Sequence, residues 1–332
     1  MLSEFDLIDR YFATRARTRN RRAALGIGDD CALIAPLAGE MLAVSTDMLV
    51  EGRHFLPDVD PRALGHKALA VNLSDLAAMG AAPLGFTLAF SLPAPRADWL
   101  DAFSAGLFDL ADRYDCELIG GDTTAGPLNL CITVFGSVPV DRALRRDAAQ
   151  PGDDVWVSGT PGDARAGLGL LRGEWTTNEA DAAVLRRALE TPEPRVALGL
   201  ALRGVAHAAL DVSDGLAGDL MHILERSKVG ARIDADAPPK SPALARLPRD
   251  LQRQCALAGG DDYELCFTAA PGRRAAVEAA AQQAGVLATR IGTITSLDPA
   301  DPARATPSIA WHDASGAPLN LTLQGFDHFH AD

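Results

Sequence analysis

Apolar positions recur along the chain with two periods, and the switches between them set out the elements. Near the N-terminus, Phe5, Ile8, Tyr11 and Phe12 fall at helical spacing within residues 1–22. After a GIGDD turn, residues 31–34 and 41–46 are short β-like runs parted by Pro36 and Gly39. Asp60-Pro61 opens a helix through 63–79, because proline suits a first helical turn. Residues 86–91 alternate as a strand, and 98–114 carry an amphipathic helix. Residues 116–119 and 128–138 are predicted strands bracketing a GGDTTAG loop. The stretch 142–151 is polar and arginine-rich, and PGDDVWVSG then begins a new β-run. That change of composition, near 140–152, predicts a boundary between a domain at 1–140 and a second at 141–332.

The second half repeats the style. Helices are predicted at 182–189 and 195–209, with prolines interrupting 191–194. DVSDGLAGDL reads as a strand end, a turn and a helix start. A short strand at 232–233, a loop at 238–248 and a strand at 264–267 after GGDDY follow. Strands and helices alternate in both halves, which predicts a mixed α/β or α+β fold of two domains. No fixed-period repeat or low-complexity tract interrupts this pattern.

Composition narrows the function. The 332 residues suffice for about two domains with substantial cores. Asp and Glu total 44 against 31 Lys and Arg, a formal net charge of −13. So acidic a chain is a poor general binder of nucleic acid, whose phosphates need Lys and Arg. The one basic cluster, Arg15, Arg17, Arg19, Arg21 and Arg22, reads as a solvated helix face and loop. Five scattered cysteines, an odd number with no CxxC pair, fit a reducing cytoplasm better than a disulfide framework. Cys116, Cys131 and Cys266 lie in apolar surroundings and read as small core residues. Glu4, Asp6 and Asp9 stand where a signal peptide carries positive charge. The most apolar stretch, 68–92, is broken by Asn72, Asp75 and Pro83, which argues against a membrane span.

The chemistry-bearing feature is a set of acidic residues beside Gly, Ser or Thr, expected at strand ends. They are GDD (Asp29, Asp30), STD (Ser45, Thr46, Asp47), NLSD (Asn72, Ser74, Asp75), GGDTT (Gly121, Asp122), DVSDG (Asp211, Ser213, Asp214) and GGDD (Asp261, Asp262). Any single Asp in a turn is explained by its bonds to local backbone N–H groups. Six such segments point to carboxylates that converge. Two like charges ~4 Å apart cost about 4 kcal/mol at an effective dielectric of 20, so a converging set calls for protons or cations. Oxygen donors without an organised His or Cys set select Mg²⁺ or Ca²⁺ over zinc. Mg²⁺ held by carboxylates and substrate phosphates is the usual arrangement in phosphoryl transfer. No GxxxxGK[ST] occurs, and Lys67, Lys228 and Lys240 lie in none of these segments, which excludes a P-loop. GTPGDARAGL lacks GxGxxG spacing and reads as a loop entering a helix, with Asp163 as its cap.

Taken together and in order, GIGDDCA (26–32), STDMLVEGRHF (45–55), HKALAVNLSDLAAMGAAP (66–83), IGGDTT (119–124), DVSDGL (211–216), GGDDYEL (259–265) and GFDHF (325–329) resemble the bacterial thiamine-monophosphate kinase family. The resemblance spans essentially the whole chain. It implies transfer of the γ-phosphoryl group of ATP to thiamine monophosphate, direct and in line, with several Mg²⁺ ions and no covalent nucleophile. By the same resemblance, Asp30, Ser45, Thr46, Asp47, Asp75, Asp122, Asp211 and Asp214 hold magnesium. Gly121, Asp122, Arg146 and Ser213 contact ATP, while His54, Asp261 and Phe326 meet thiamine monophosphate. Read singly, His54, Phe326 and Arg146 are an ordinary structural histidine, a packing residue and a solvated charge; only the motif match assigns them. The fold implied is that of the aminoimidazole-ribonucleotide-synthetase-like superfamily. Its N-terminal domain binds ATP and Mg²⁺ and forms a homodimer through a sheet that closes into a barrel, and its C-terminal domain completes the active site. One departure is Asp261, where the family pattern GGEDYEL has Glu.

Two other readings compete. A superfamily relative with a different acceptor is one, although selenophosphate synthetases place a reactive Cys and a Lys near the N-terminus, and here none precedes Cys31 and Lys67. A silent Mg-nucleotide-binding module is the other, and the full set of carboxylates speaks against it.

Overall fold

The computed structural model describes residues 4–17, 23–27, 31–34, 38–298, 300–301, 305–323 and 326. The chain divides into two units, residues 1–76 with 81–141 and residues 77–80 with 142–332.

In the first unit, helices α1 (Glu4–Ile8) and α2 (Thr14–Arg17) are joined by a π-helical stretch, Asp9–Ala13. That wider winding turns the consecutive Tyr11, Phe12 and Ala13 into the interior, more than an even helical period allows. A small antiparallel pair, β1 (Ala23–Leu25) and β2 (Leu33–Ile34), follows. Next come β3 (Glu40–Val50), α3 (Pro61–Ala78), β4 (Ala82–Leu92), α4 (Ala97–Arg113), β5 (Glu117–Ala125) and β6 (Asn129–Pro139). The four longer strands form one sheet in the order β3-β6-β4-β5. Only β4 and β5 run parallel, as the α4 crossover between them requires. Phe86, Leu88 and Phe90 of β4 and Leu130, Ile132 and Val134 of β6 are buried, as are Leu69, Leu73 and Leu76 of α3 and Leu100, Phe103 and Leu107 of α4.

Two expectations change here. GGDTT is not a loop: it lies inside β5, whose residues pair with β4 from Glu117 to Ala125. Gly121 makes this possible, since a Cβ there would overlap the carbonyl of Leu88. STD and NLSD likewise lie within elements, the first in the middle of β3 and the second in α3, not at strand ends. Cys116 is a core residue as expected, whereas Cys131 is only half-buried, on the sheet face away from α3.

The second unit carries β7 (Asp154–Ser158), α5 (Asp163–Leu171), α6 (Glu179–Glu190), α7 (Val196–Ala201), β8 (Ala208–Val212), α8 (Leu216–Ser227), β9 (Gly230–Asp234), α9 (Arg249–Ala258), β10 (Glu264–Ala269), α10 (Arg274–Ala284), β11 (Ala288–Thr295) and β12 (Ile309–His312). The helix expected over 195–209 ends at Ala201, and Ala208 and Ala209 open β8. A short apolar run such as AALDV fits a buried helix or a buried strand equally by period, and pairing with β10 decides for the strand. The six-stranded sheet has the order β12-β9-β11-β7-β10-β8, antiparallel except at β12–β9. Val155, Val157, Leu210, Val212, Cys266, Ile291 and Ile294 pack with Leu216, Leu220, Ile223 and Leu224 of α8 in its main core. Because Cys266 pairs with Val157 and Glu264 with Val212, the loops leaving β7 and β8 and the loop entering β10 meet at one end of the sheet.

Helices α3 and α4 approach so closely that each offers a glycine to the other's backbone. A Cβ on Gly65 would overlap the Phe103 carbonyl, and one on Gly106 the Arg62 carbonyl. In an open helix, Gly to Ala stabilises by roughly 0.5–1 kcal/mol. Here the sign reverses: Gly65→Ala and Gly106→Ala should each cost about 1–3 kcal/mol through overpacking. Urea denaturation reads this directly, and a neutral or stabilised variant would show that the helices can move apart.

Candidate active site

Successive side chains alternate across a strand, so β3 turns Ser45 and Asp47 toward α3 and Thr46 to the opposite face. The Ser45 hydroxyl donates to Asp75 Oδ2. The Asp47 N–H donates to Asn72 Oδ1 at 3.2 Å. Asn72 and Asp75 are three residues apart and share a face of α3. Asn72 is 1% exposed, and its Nδ2 donates to the Ala68 carbonyl at 3.0 Å. That bond fixes the amide so that its oxygen faces β3. Asn72 belongs to the NLSD motif, and its three-residue spacing to Asp75 on a helix is the sequence signal that points to it.

Thr46 bonds to the Thr133 hydroxyl at 2.9 Å on the far face of the sheet. Asp122 lies on that same face, because Met48, Cys131, Ala89 and Asp122 are aligned across the four strands. Three strand spacings, ~14 Å, separate Asp122 from Met48. The first unit therefore gathers Ser45, Asp47 and Asp75 on one face of the sheet, and sets Thr46 and Asp122 on the other, at its opposite edges. Gly121 aligns with Leu88 on the face toward α3. His54 Nδ1 accepts the Val50 N–H at 3.0 Å, which puts the ring proton on Nε2. Its carbonyl accepts from the buried Lys67 at 3.4 Å. Asp30 lies outside the described residues.

In the second unit the turn after β8 is the organising feature. Asp211 is buried in β8, and the chain then turns through Ser213, Asp214 and Gly215 into α8. The N–H groups of these three residues all donate to one oxygen, Asp219 Oδ2, at 3.0, 3.0 and 3.1 Å. Asp219 is 4% exposed. Burial, then the charge of Asp214, pushes its carboxyl up to about 7 against the pull of the three amides. The carbonyls of the turn are taken as well. Ser213 O accepts the Asp261 N–H at 2.8 Å, and Asp214 O accepts the Phe326 N–H at 2.9 Å. The structure thus brings Ser213, Asp214, Asp261 and Phe326 together, though they lie in three segments of sequence. The Phe326 side chain is exposed. Sequence reading left Asp219 without a role, although DVSDGLAGDL contains it.

Asp261 and Tyr263 adopt left-handed backbone, with φ of +66° and +52°, and the Tyr263 hydroxyl donates to Asp261 Oδ1 at 3.2 Å. Asp tolerates that conformation better than a longer side chain does, which suits the position where the family pattern has Glu. Between them, both Asp262 oxygens accept the Gly162 N–H at 2.8 Å, and burial holds this carboxyl well above its ordinary range. Asp163 is therefore not the cap of α5: its carboxylate accepts from Thr160 and Ser241, and Asp262 takes the helix's first amides. Glu264, at the start of β10, accepts from Ser158 and receives a two-pronged bond from Arg195. Arg146 is exposed, and its carbonyl accepts from Ser227 at the end of α8. The preceding residue, Arg145, bridges to Ala208, the first residue of β8, which lies at the far end of that strand from Ser213, roughly 17 Å from it at the usual strand rise.

Among the described residues no three His, Cys, Asp or Glu side chains stand close enough to hold a metal ion by themselves. The donors come in small groups of carboxylate, hydroxyl and amide oxygens. That suits Mg²⁺, which keeps several waters and is bound through one or two carboxylates plus substrate phosphates. Burial pushes the Cys255 thiol up to about 12 and raises Cys116 and Cys266 further, which keeps these three in the unreactive thiol form. No helix among the described residues is long and apolar enough to cross a membrane.

Residues 28–138 match the family described as AIR synthase related protein, N-terminal domain, and residues 150–299 its C-terminal domain. The chain is 48% identical to the thiamine-monophosphate kinase of Salmonella typhimurium over 98% of both proteins. It is 49% identical to the crystal structure of thiamine-monophosphate kinase from Stenotrophomonas maltophilia, covering 96% of this chain and 98% of that one with a TM-score of 0.84. A structure of AaThiL complexed with AMPPCP and TMP is 30% identical, covers 99% of this chain and 97% of that one, and has a TM-score of 0.75. With both halves of the fold matched and near-complete relatives at this identity, the chain belongs to the thiamine-monophosphate kinase family, within the AIR synthase-like superfamily.

Proposed function

We propose that the protein transfers the γ-phosphoryl group of ATP to the phosphate of thiamine monophosphate, giving thiamine diphosphate and ADP. The observation that carries this reading is 48% identity over 98% of the chain to a thiamine-monophosphate kinase. A relative that holds AMPPCP and TMP supports both substrates. An acceptor phosphate oxygen attacks the γ-phosphorus, the bond to the β–γ bridging oxygen breaks, and the electron pair leaves on ADP. The acceptor oxygen is largely ionised at pH 7, so no strong general base is needed. Catalysis then rests on positioning and on charge neutralisation.

Magnesium, when bound, cancels the charge that two polyanions bring to an acidic protein. Asp30, Ser45, Thr46, Asp47, Asp75, Asp122, Asp211 and Asp214 would hold it, a donor set of oxygens only. In this reading Gly121, Asp122, Arg146 and Ser213 bind the nucleotide. Arg146 contributes a planar, permanently charged fork for phosphate oxygens. His54, Asp261 and Phe326 orient thiamine monophosphate, the phenyl ring offering its face to the heteroaromatic rings. The left-handed backbone at 261 fixes where the shorter Asp carboxylate points.

The protein acts as a homodimer in this reading, in the cytoplasm. Supporting the dimer, Leu42, Val44 and Met48 of edge strand β3 are exposed on the sheet face opposite α3, an apolar surface that a second copy would cover. Free cysteines at 31, 116, 131, 255 and 266 suit a reducing compartment.

The direct test incubates the protein with Mg²⁺–ATP and thiamine monophosphate and separates thiamine phosphates after oxidation to thiochromes. Thiamine diphosphate should form from the monophosphate and not from free thiamine; ATP binding with no product would move the protein to another acceptor. Asp47→Asn should lower kcat by about a hundredfold or more with the circular dichroism unchanged. Near-normal turnover would remove Asp47 from the metal set. Phe326→Ala should raise KM for thiamine monophosphate by about tenfold and leave that for ATP within about twofold. Equal effects on the two substrates would take Phe326 out of the acceptor site.

A further inference from the structure

Helix N-termini and runs of successive N–H groups commonly hold phosphate, because the unpaired amides and the helix dipole attract anions. The N-terminus of α8 has such a run in Ser213, Asp214 and Gly215. It is filled by the protein's own buried Asp219. A substrate phosphate cannot use those amides while that carboxylate is in place.

The consequence lies on the other side of the turn. A trans peptide is planar, and its N–H and C=O point in opposite directions. In the Ser213–Asp214 peptide, the N–H points to Asp219 and the C=O to the Asp261 N–H. In the Asp214–Gly215 peptide, the N–H points to Asp219 and the C=O to the Phe326 N–H. Clamping one edge of each plane therefore aims the other. We propose that Asp219 is a positioning residue for the kinase reaction: by fixing two peptide planes, it sets Ser213 and Asp214 and, through their carbonyls, Asp261 and Phe326. It touches neither substrate in this scheme. Glycines around the turn leave little slack, since a Cβ on Gly215 would meet the backbone of Ala258 and one on Gly260 the carbonyl of Ser213.

This proposal rests on the assignment of Ser213 and Asp214 to the nucleotide and metal side, and of Asp261 and Phe326 to the acceptor. Asp219→Asn keeps an acceptor oxygen and the side-chain shape but loses the charge, whereas Asp219→Ala loses the acceptor. In the alanine variant, KM for both substrates should rise together by about tenfold or more, and the asparagine variant should recover part of that loss. A merely structural role would lower the melting temperature and the active fraction while leaving both KM values within about twofold, and that result would overturn the proposal. Amide hydrogen exchange supplies a readout free of turnover. In the wild-type protein the amides of Ser213, Asp214 and Gly215 should be protected, and in Asp219→Asn those of Asp261 and Phe326 should exchange faster as well. Fast exchange of the three turn amides in the wild type would overturn the clamp even if both variants failed to fold. Absence of thiamine diphosphate formation by the wild type, with exchange as expected, would instead fault the assigned reaction.

Discussion

Three consecutive backbone N–H groups converging on one buried carboxylate oxygen hold the functional end of the second unit in order. Ser213, Asp214 and Gly215 give their amides to Asp219, and the carbonyls of the first two receive Asp261 and Phe326. The three bonds share one acceptor oxygen, and leaving its amides unpaired would cost more than any one bond contributes. The turn, the GGDDY loop and Phe326 therefore keep one mutual geometry. The neighbouring loop follows the same logic, with Asp262 on the first amides of α5. Two helix N-termini that would otherwise attract free anions are thus closed by side chains of the protein itself.

This arrangement fits an acidic protein that handles anionic substrates. A chain with a net charge of −13 has to prevent its own carboxylates from repelling one another. Away from the site it does so with arginine pairs. Asp154 accepts from Arg274 and Arg290, which hold its carboxyl below the usual range against the effect of burial. Asp236 is likewise held low by Arg253 and Arg249. Next to the GGDDY loop, Arg195 grips Glu264 in the same way. Among the carboxylates proposed for magnesium, Asp75 meets a serine hydroxyl, and Asp47 offers its backbone N–H to an asparagine.

In the first unit, the close contact of α3 and α4 has a similar role for the donors on β3. Asn72 and Asp75 can meet Asp47 and Ser45 only if α3 lies flat on the sheet, and the buried, small-residue character of that helix permits it. Gly65 and Gly106 remove the side chains that would otherwise push α3 and α4 apart.

The sequence by itself determined the family, the α/β class and most of the elements. Ordered motifs survive any ambiguity in local structure, and long periodic segments such as 61–78 and 97–113 carry a clear signal. It also named Ser213, Asp214, Asp261 and Phe326, because each sits in a motif. It misjudged GGDTT as a loop, since glycines read as turn residues until a partner strand explains the close approach at Gly121. It gave Asn72 and Asp219 no part, although both lie within quoted segments. Local pattern shows which residue types are present but not which distant backbone group each one faces. Only the tertiary structure decided that Asp219 faces three amides, that Asn72 turns its oxygen to β3, and that Thr46 and Asp122 stand across the sheet from Asp47 and Asp75. Those outcomes depend on strand register and helix docking, which are set by contacts between residues far apart in the chain.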